Sequence, residues 1–313
     1  MSILTPFAAA LVATATPAAV PPATPPASQI GDLPDPGPDA EELELWREHH
    51  ERYGVAVTIG GKGPFRFLVD TGAQATVVSH ELAQRIDFGE RRPGVLVAMA
   101  SRRPVETVFI DRFGVGAQET TVQNAPILER RNLGYADGIL GLDVLQGRRV
   151  LMDFEQGRMA VEDAAREGER NDKRDGFEIV VRARQRLGQL IITEAMIDGI
   201  RTSVIVDTGA QHSVGNRALE RRLRARSMGA IEVEDVNGVT LPLDVRMADE
   251  LRIGRMRLTR LPLGFGEAEP FAALGLEHRP ALILGMRELA VFRRVAIDFS
   301  SGRVLFDLPR GTS

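Results

Sequence analysis

The chain has 313 residues, of which 43% are apolar and 26% charged, and its formal net charge is −4. This length allows one large domain or two of ordinary size, while the mild negative charge argues against nucleic acid as a partner. The sequence has no cysteine, which excludes disulfides, thiol nucleophiles and thiolate metal sites.

The first 20 residues are small and apolar, and Ala13-Thr14-Ala15 fits an A-x-A cleavage site. They predict a signal peptide over residues 1–20, with a disordered tail as the alternative, and hence a periplasmic or secreted protein. Residues 21–53 begin with a Pro/Ala-rich tether, and the helix formers of Glu41–Tyr53 predict a short helix at its end. No later segment approaches 18 consecutive apolar residues, so we expect no membrane span in the mature chain.

From residue 54 onward the sequence predicts strands, because short β-branched and aromatic runs alternate with glycine and proline. This pattern covers residues 54–162, stops over a charged linker at 163–176, and returns over 177–309. The predicted strands of the first part are 54–61, 64–70, 75–79, 95–100, 105–113, 120–127 and 149–154.

The second part of the chain repeats the first. Four short sequence landmarks recur in the same order and at similar spacings, which indicates two duplicated units of about 110–130 residues. The landmarks are VDTGAQ at 69–74 and 206–211, GILG at 138–141 against LILG at 282–285, RVLMDF at 149–154 against RVAIDF at 294–299, and Gly-Arg at 157–158 and 302–303.

Each hexapeptide places an aspartate directly after an apolar strand and before Thr-Gly. A carboxylate at this corner lies against the interior, where it is costly unless it is paired or protonated. If the two loops face each other across a pseudo-twofold axis, Asp70 and Asp207 meet and share one proton. One is then a base and the other an acid, as activation of a water requires. A single copy could be a turn aspartate that caps local N–H groups, and it is the duplication that favours catalysis.

These residues resemble the aspartic peptidases: VDTGA is followed by a β-branched strand, and an apolar-apolar-Gly loop lies downstream. The two units, over about residues 54–308, are most similar to retropepsin units fused in tandem. The resemblance implies an all-β fold of two closed-barrel lobes related by a pseudo-twofold axis. It also implies an aspartic endopeptidase that cleaves peptides or proteins and is active as a monomer, without a cofactor or a metal.

The resemblance also implies roles within the two loops and behind them. The loops at 139–141 and 283–285 would pack behind the aspartates, and helices at 142–145 and 286–292 would close the lobes. Carried over residue by residue, the catalytic dyad would be Asp70 and Asp207, the bracing hydroxyls Thr71 and Thr208, the points of close approach Gly72 and Gly209, and the adjoining support Ala73 and Ala210.

The alanines at positions 73 and 210 predict a shift in pH dependence. Pepsins usually carry serine or threonine there, whose hydroxyl can stabilise an ionised carboxylate, and alanine cannot. We therefore expect raised pKa values for the dyad and activity displaced toward neutral pH.

Two hairpins are candidates for flaps that cover a substrate. In the second unit, Asn237-Gly238 is a strong hairpin turn, which makes these two residues candidate substrate contacts. In the first unit the turn is expected near Ala100–Arg103, without a glycine at its tip. The first hairpin could equally be a plain structural element, whereas for the second this interpretation is less favoured than a flap.

Of two other functions considered from the sequence, one remains open. A non-catalytic peptide-binding module could have the same fold. A phosphoryl-transfer enzyme lacks support, because the chain has neither a phosphate loop nor a metal-binding acidic cluster. His80, His212 and His278 are scattered without the spacing of metal ligands.

Overall fold

The computed structural model describes residues 11–12, 41–44, 46–47, 53–116, 118–163 and 177–309. The rest of the expected signal peptide and tether, and residues 164–176 of the expected linker, lie outside the described residues. No helix in the described ranges is long and apolar enough to cross a membrane.

The predicted short helix over Glu41–Tyr53 is wrong. The segment contains two strands instead, and Tyr53 begins a third. Residues 41–44 pair antiparallel with residues 158–161, and such pairing overrides helix propensity, which is a weak preference. The first three strands of the chain are β1 (Leu11–Val12), β2 (Glu41–Glu44) and β3 (Trp46–Arg47).

Lobe 1 comprises the described residues from 53 to 163 and consists mainly of strands. A 3-10 turn spans Arg130–Leu133. Its elements are β4 (Tyr53–Ile59), β5 (Lys62–Val69), β6 (Val77–Ser79), α1 (His80–Arg85), β7 (Arg92–Val97), β8 (Arg102–Val115), β9 (Gln118–Leu128), β10 (Gly138–Leu140), α2 (Leu142–Leu145), β11 (Arg148–Asp153) and β12 (Arg158–Asp163).

Lobe 2 comprises residues 177–309 and repeats this order. Its elements are β13 (Ile179–Arg182), β14 (Arg184–Arg186), β15 (Gln189–Ile197), β16 (Ile200–Val206), β17 (Val214–Gly215), α3 (Arg217–Glu220), β18 (Ser227–Asp235), β19 (Thr240–Ile253), β20 (Met256–Phe265), α4 (Glu269–Ala273), β21 (Ala281–Leu284), α5 (Met286–Leu289), β22 (Arg294–Asp298) and β23 (Arg303–Asp307).

Strand pairing in each lobe forms a ring. In lobe 1 the order β4-β5-β10-β6-β9-β8 returns to β4, and in lobe 2 the order β15-β16-β21-β17-β20-β19 returns to β15. Alternate side chains along these strands fill the interior of each ring. In lobe 1, for example, Phe67 and Phe113 pack edge to face with their ring centroids 5.3 Å apart. The predicted all-β, two-lobed fold is therefore confirmed.

A six-stranded sheet joins the lobes and contains the pseudo-twofold axis. At its centre β11 pairs antiparallel with β22, and these two strands carry the repeated RVLMDF and RVAIDF sequences. Leu151 pairs with Ala296, its own counterpart 145 positions later. Arg149 pairs with Asp298, and Asp153 with Arg294, so equivalent residues exchange places across the axis.

Candidate active site

Each aspartate of the repeated hexapeptide lies at the end of a buried strand. Asp70 follows β5, and its backbone N–H donates to Leu140 O of the parallel strand β10 at 3.0 Å. Asp207 follows β16, and its N–H donates to Leu284 O of β21 at 3.1 Å. The apolar-apolar-Gly loops therefore set the backbone position of both acids, as expected.

The loop backbone binds one oxygen of each carboxylate. Asp70 Oδ1 accepts from Gly72 N at 2.8 Å and from Ala73 N at 2.9 Å. Asp207 Oδ1 accepts from the equivalent residues, at 2.9 Å from Gly209 N and 3.1 Å from Ala210 N. Both aspartates are 1% exposed, so the N–H groups replace part of the lost hydration.

The structure brings Asp70 and Asp207 together across the axis, each against the glycine of the opposite loop. A Cβ atom built on Gly72 would lie 2.4 Å from Asp207 Oδ2, and one on Gly209 would lie 2.1 Å from Asp70 Oδ2. Real Cβ atoms do not approach so closely, so only glycine permits this packing. Replacing either glycine would push the opposite carboxylate away.

The two threonines brace the loops against each other. Thr71 Oγ1 donates to Val206 O at 3.0 Å and accepts from Thr208 N at 3.1 Å. Thr208 Oγ1 donates to Val69 O at 2.8 Å and accepts from Thr71 N at 3.0 Å. Both threonines are 1% exposed, so these four bonds tie the lobes together directly beneath the aspartates.

The environment of Asp207 favours its protonated form. Burial, followed by the charge of Asp70, raises the pKa of Asp207 well above its ordinary value. Two carboxylates this close cannot both ionise at moderate pH. The pair therefore binds and releases protons as a unit, and its pKa values cannot be assigned to either residue alone.

Two protein-family models match the chain, and each covers one unit. The model for gag-polyprotein aspartyl proteases matches residues 55–147, and the model for aspartyl proteases matches residues 193–287. This chain belongs to the retropepsin-like aspartic peptidases. Each matched range of the peptidase contains one aspartate loop, one hairpin and one apolar-apolar-Gly loop. No match to the chain is found among curated proteins.

Sequence reasoning missed a second pair of hydroxyls behind the aspartate loops of the peptidase. Thr76 Oγ1 accepts from Gly141 N at 3.1 Å and donates to Asp143 Oδ1 at 2.7 Å. Ser213 Oγ accepts from Gly285 N at 3.0 Å and donates to Glu288. Thr76 and Ser213 are 137 positions apart, as the two aspartates are, and this spacing could have revealed them.

The second hairpin has its turn where the sequence predicts it. Residues 236–239 connect β18 to β19, and Gly238 has a φ of +77°, which a residue with a side chain rarely adopts. The first hairpin turns at residues 98–101, slightly before the expected position, because Arg102 and Arg103 already pair with Val97 and Leu96.

The tips of the two hairpins bind each other. Asp235 Oδ2 accepts from Ala100 N at 3.1 Å and from Ser101 Oγ at 2.7 Å, while Asn237 Nδ2 donates to Ser101 Oγ at 2.9 Å. Each tip also enters the apolar core of the opposite lobe: Met99 packs with residues of lobe 2 and Val236 with residues of lobe 1. The two hairpins are therefore connected to each other through their tips.

Metal ligation is not indicated in the part of the peptidase that the structure describes, where no group of three His, Asp or Glu side chains could hold an ion.

Replacement of Thr208 by valine should destabilise the peptidase. Valine keeps the shape of the side chain but leaves Val69 O and Thr71 N buried without their partner. The free energy of unfolding should fall by about 1–3 kcal/mol for each unpaired group, as measured by urea denaturation. Thr208→Ser should retain most of the stability, and Thr259→Val, at an exposed site, should change it little. Equal stabilities of the two valine variants would contradict the bracing role.

Glu288→Gln should change the pH dependence of stability. Burial raises the pKa of Glu288, so the folded state holds this proton more tightly than the unfolded state does. The contribution of Glu288 to the free energy of unfolding therefore decreases as the pH rises above about 4.3, the ordinary value for glutamate, and glutamine lacks this decrease. The stability of Glu288→Gln relative to wild type should grow with pH in urea titrations. A stability difference that stays constant with pH would contradict this.

Proposed function

We propose that the chain is an aspartic endopeptidase in which a water activated by Asp70 and Asp207 hydrolyses peptide bonds. The observation that carries the proposal is the packing of two buried carboxylates against each other's glycine. One chain supplies both carboxylates, so a monomer is sufficient for activity. The family matches support peptidase activity, and the specific dyad is our inference.

The reaction uses the shared proton of the pair. The ionised carboxylate takes a proton from the water as its oxygen attacks the carbonyl carbon, and the protonated carboxyl gives its proton to the carbonyl oxygen. In the tetrahedral intermediate, the carboxyl that is now protonated gives its proton to the nitrogen, the other carboxylate takes a proton from one hydroxyl on the carbon, and the C–N bond breaks to leave a carboxylic acid and an amine. The pair ends with one proton, as it began, and one water has been consumed.

The substrate is an extended segment of a peptide or protein. The two hairpins would cover it, and their strands would bind its main chain in the way that an added strand pairs with a sheet. Asn237 and Gly238 lie at the tip of the second hairpin and are the proposed substrate contacts there. The bonds between the hairpin tips must open to admit a substrate. The signal peptide expected from the sequence would place this activity in the periplasm or outside the cell.

Asp70→Asn and Asp207→Asn should each abolish cleavage without unfolding the protein. An amide can still accept the loop N–H bonds, but it cannot exchange a proton with water, so kcat/KM should fall by about 10²- to 10⁴-fold or more. Cleavage of a mixed peptide library by the full chain, with and without pepstatin, measures this, and circular dichroism monitors folding.

The control for these variants is Asp249→Asn, at an exposed position of β19, which should cleave like wild type. Full activity of Asp207→Asn would refute the dyad. Peptide binding by a folded wild-type chain that cleaves nothing would instead favour the non-catalytic binding module.

Ala210→Ser and Ala73→Ser should shift the pH profile of kcat/KM to more acidic values. A hydroxyl at these positions could donate to the ionised carboxylate and lower the pKa of the pair, whereas the natural alanines, both fully buried, cannot. Profiles of the two variants and of exposed Ala56→Ser test this. A wild-type optimum below about pH 3, or a shift toward alkaline pH in the serine variants, would contradict it.

A further inference from the structure

A turn of lobe 2 packs on lobe 1 beside the aspartate loop. It consists of Leu187 and Gly188, which connect β14 to β15. Gln74 Nε2 of lobe 1 donates to Leu187 O at 3.0 Å, and a Cβ built on Gly188 would lie 3.2 Å from Leu142 Cδ1 at the start of α2. The first residue of β15 is therefore brought to the catalytic loop of the other lobe.

That residue is Gln189, and it holds the carbonyl of Gly72. Its side chain is 1% exposed, and its Nε2 donates to Gly72 O at 2.7 Å. Gly72 in turn contacts both aspartates, because its N–H donates to Asp70 and its Cα lies against the carboxylate of Asp207. One residue that touches both carboxylates is thus fixed by a side chain from the opposite lobe.

Within the part of the chain that the structure describes, the amide of Gln189 has one bonded end and one unbonded end. Gln189 Oε1 is buried without a hydrogen-bond partner among the described residues, and such a group costs about 1–3 kcal/mol. Methionine would fill a similar volume without that cost. The donor on Nε2 is the feature that an apolar side chain lacks, and its acceptor is Gly72.

We propose that Gln189 is a positioning residue, which fixes the Gly72 peptide so that Asp70 and Asp207 keep their contact. The proposal rests on the proposed function. It differs from a purely structural role because the Gly72 peptide adjoins both acids, so that its displacement would change proton exchange as well as stability.

The first test is Gln189→Met, with Gln185→Met as the matched control. Gln185 is exposed on β14 of the same hairpin, and its variant should behave like wild type. Gln189→Met should lower kcat about tenfold or more, with a smaller change in KM and a displaced pH profile. Activity should be measured on a peptide library with the full chain, and corrected for the folded fraction by urea denaturation.

The second test is Gln189→Glu. This side chain has a hydrogen-bond donor for Gly72 O only when it is protonated. A protonated glutamate can donate to Gly72 O, whereas an ionised one cannot and adds a negative charge. The ratio of its kcat to that of wild type should be near one at low pH and fall about tenfold or more as the glutamate ionises. The segments that meet here also carry the ionisable residues Asp70, Asp207, Asp143, Arg184, Arg186 and Glu194, and all are retained in both proteins.

Unchanged kcat and pH profiles in both variants would overturn the role of Gln189, as would losses explained entirely by unfolding. If wild type cleaves these substrates, that result leaves the proposed endopeptidase intact. If folded wild type cleaves nothing at any pH, the endopeptidase and the role of Gln189 both fail.

Discussion

Two buried carboxylates from opposite halves of the chain lie against each other's loop at the centre of the molecule. This contact is unfavourable in isolation, because burial and mutual repulsion both oppose ionisation. The surrounding structure makes it possible: two glycines leave the space, four loop N–H groups bind the carboxylates, and two threonine hydroxyls join the loops. The paired strands of the joining sheet hold the lobes in the register that these contacts need.

Some parts of the structure are nearly symmetric about the pseudo-twofold axis, and others are not. The joining sheet and the threonine bonds are nearly symmetric, since equivalent residues exchange places across the axis. The hairpins are not: the first bends at residues 98–101 without a glycine, while the second uses Gly238 at a positive φ. Two identical carboxylates in identical surroundings would have no preferred acid. The unequal hairpins provide one physical means of making the two carboxylates differ.

The sequence was sufficient for features that depend on local pattern and duplication. Alternating β-branched runs predicted the strands, and the repeated VDTGAQ predicted which loops meet. The helix over residues 41–53 was predicted wrongly because residues 41–44 form a strand by pairing with residues 158–161, far along the chain. Gln189 could not be identified, since its partner Gly72 lies 117 positions away and the residue belongs to no motif. Thr76 and Ser213 were partly predictable. The sequence shows their spacing, which equals that of the two aspartates, but it does not show the hydrogen bonds that their hydroxyls form.

The interlocked hairpin tips form a second set of contacts between the two lobes. Asp235 is 1% exposed and accepts bonds from its own turn, at Asn237 N and Val239 N, as well as from Ala100 and Ser101 of the other hairpin. Met99 and Val236 anchor the tips in opposite cores. Separation of the tips would therefore break polar and apolar contacts of both lobes together. Because the same two lobes carry the two aspartates, the proposed opening of the hairpins to a substrate would also strain the geometry of the carboxylate pair.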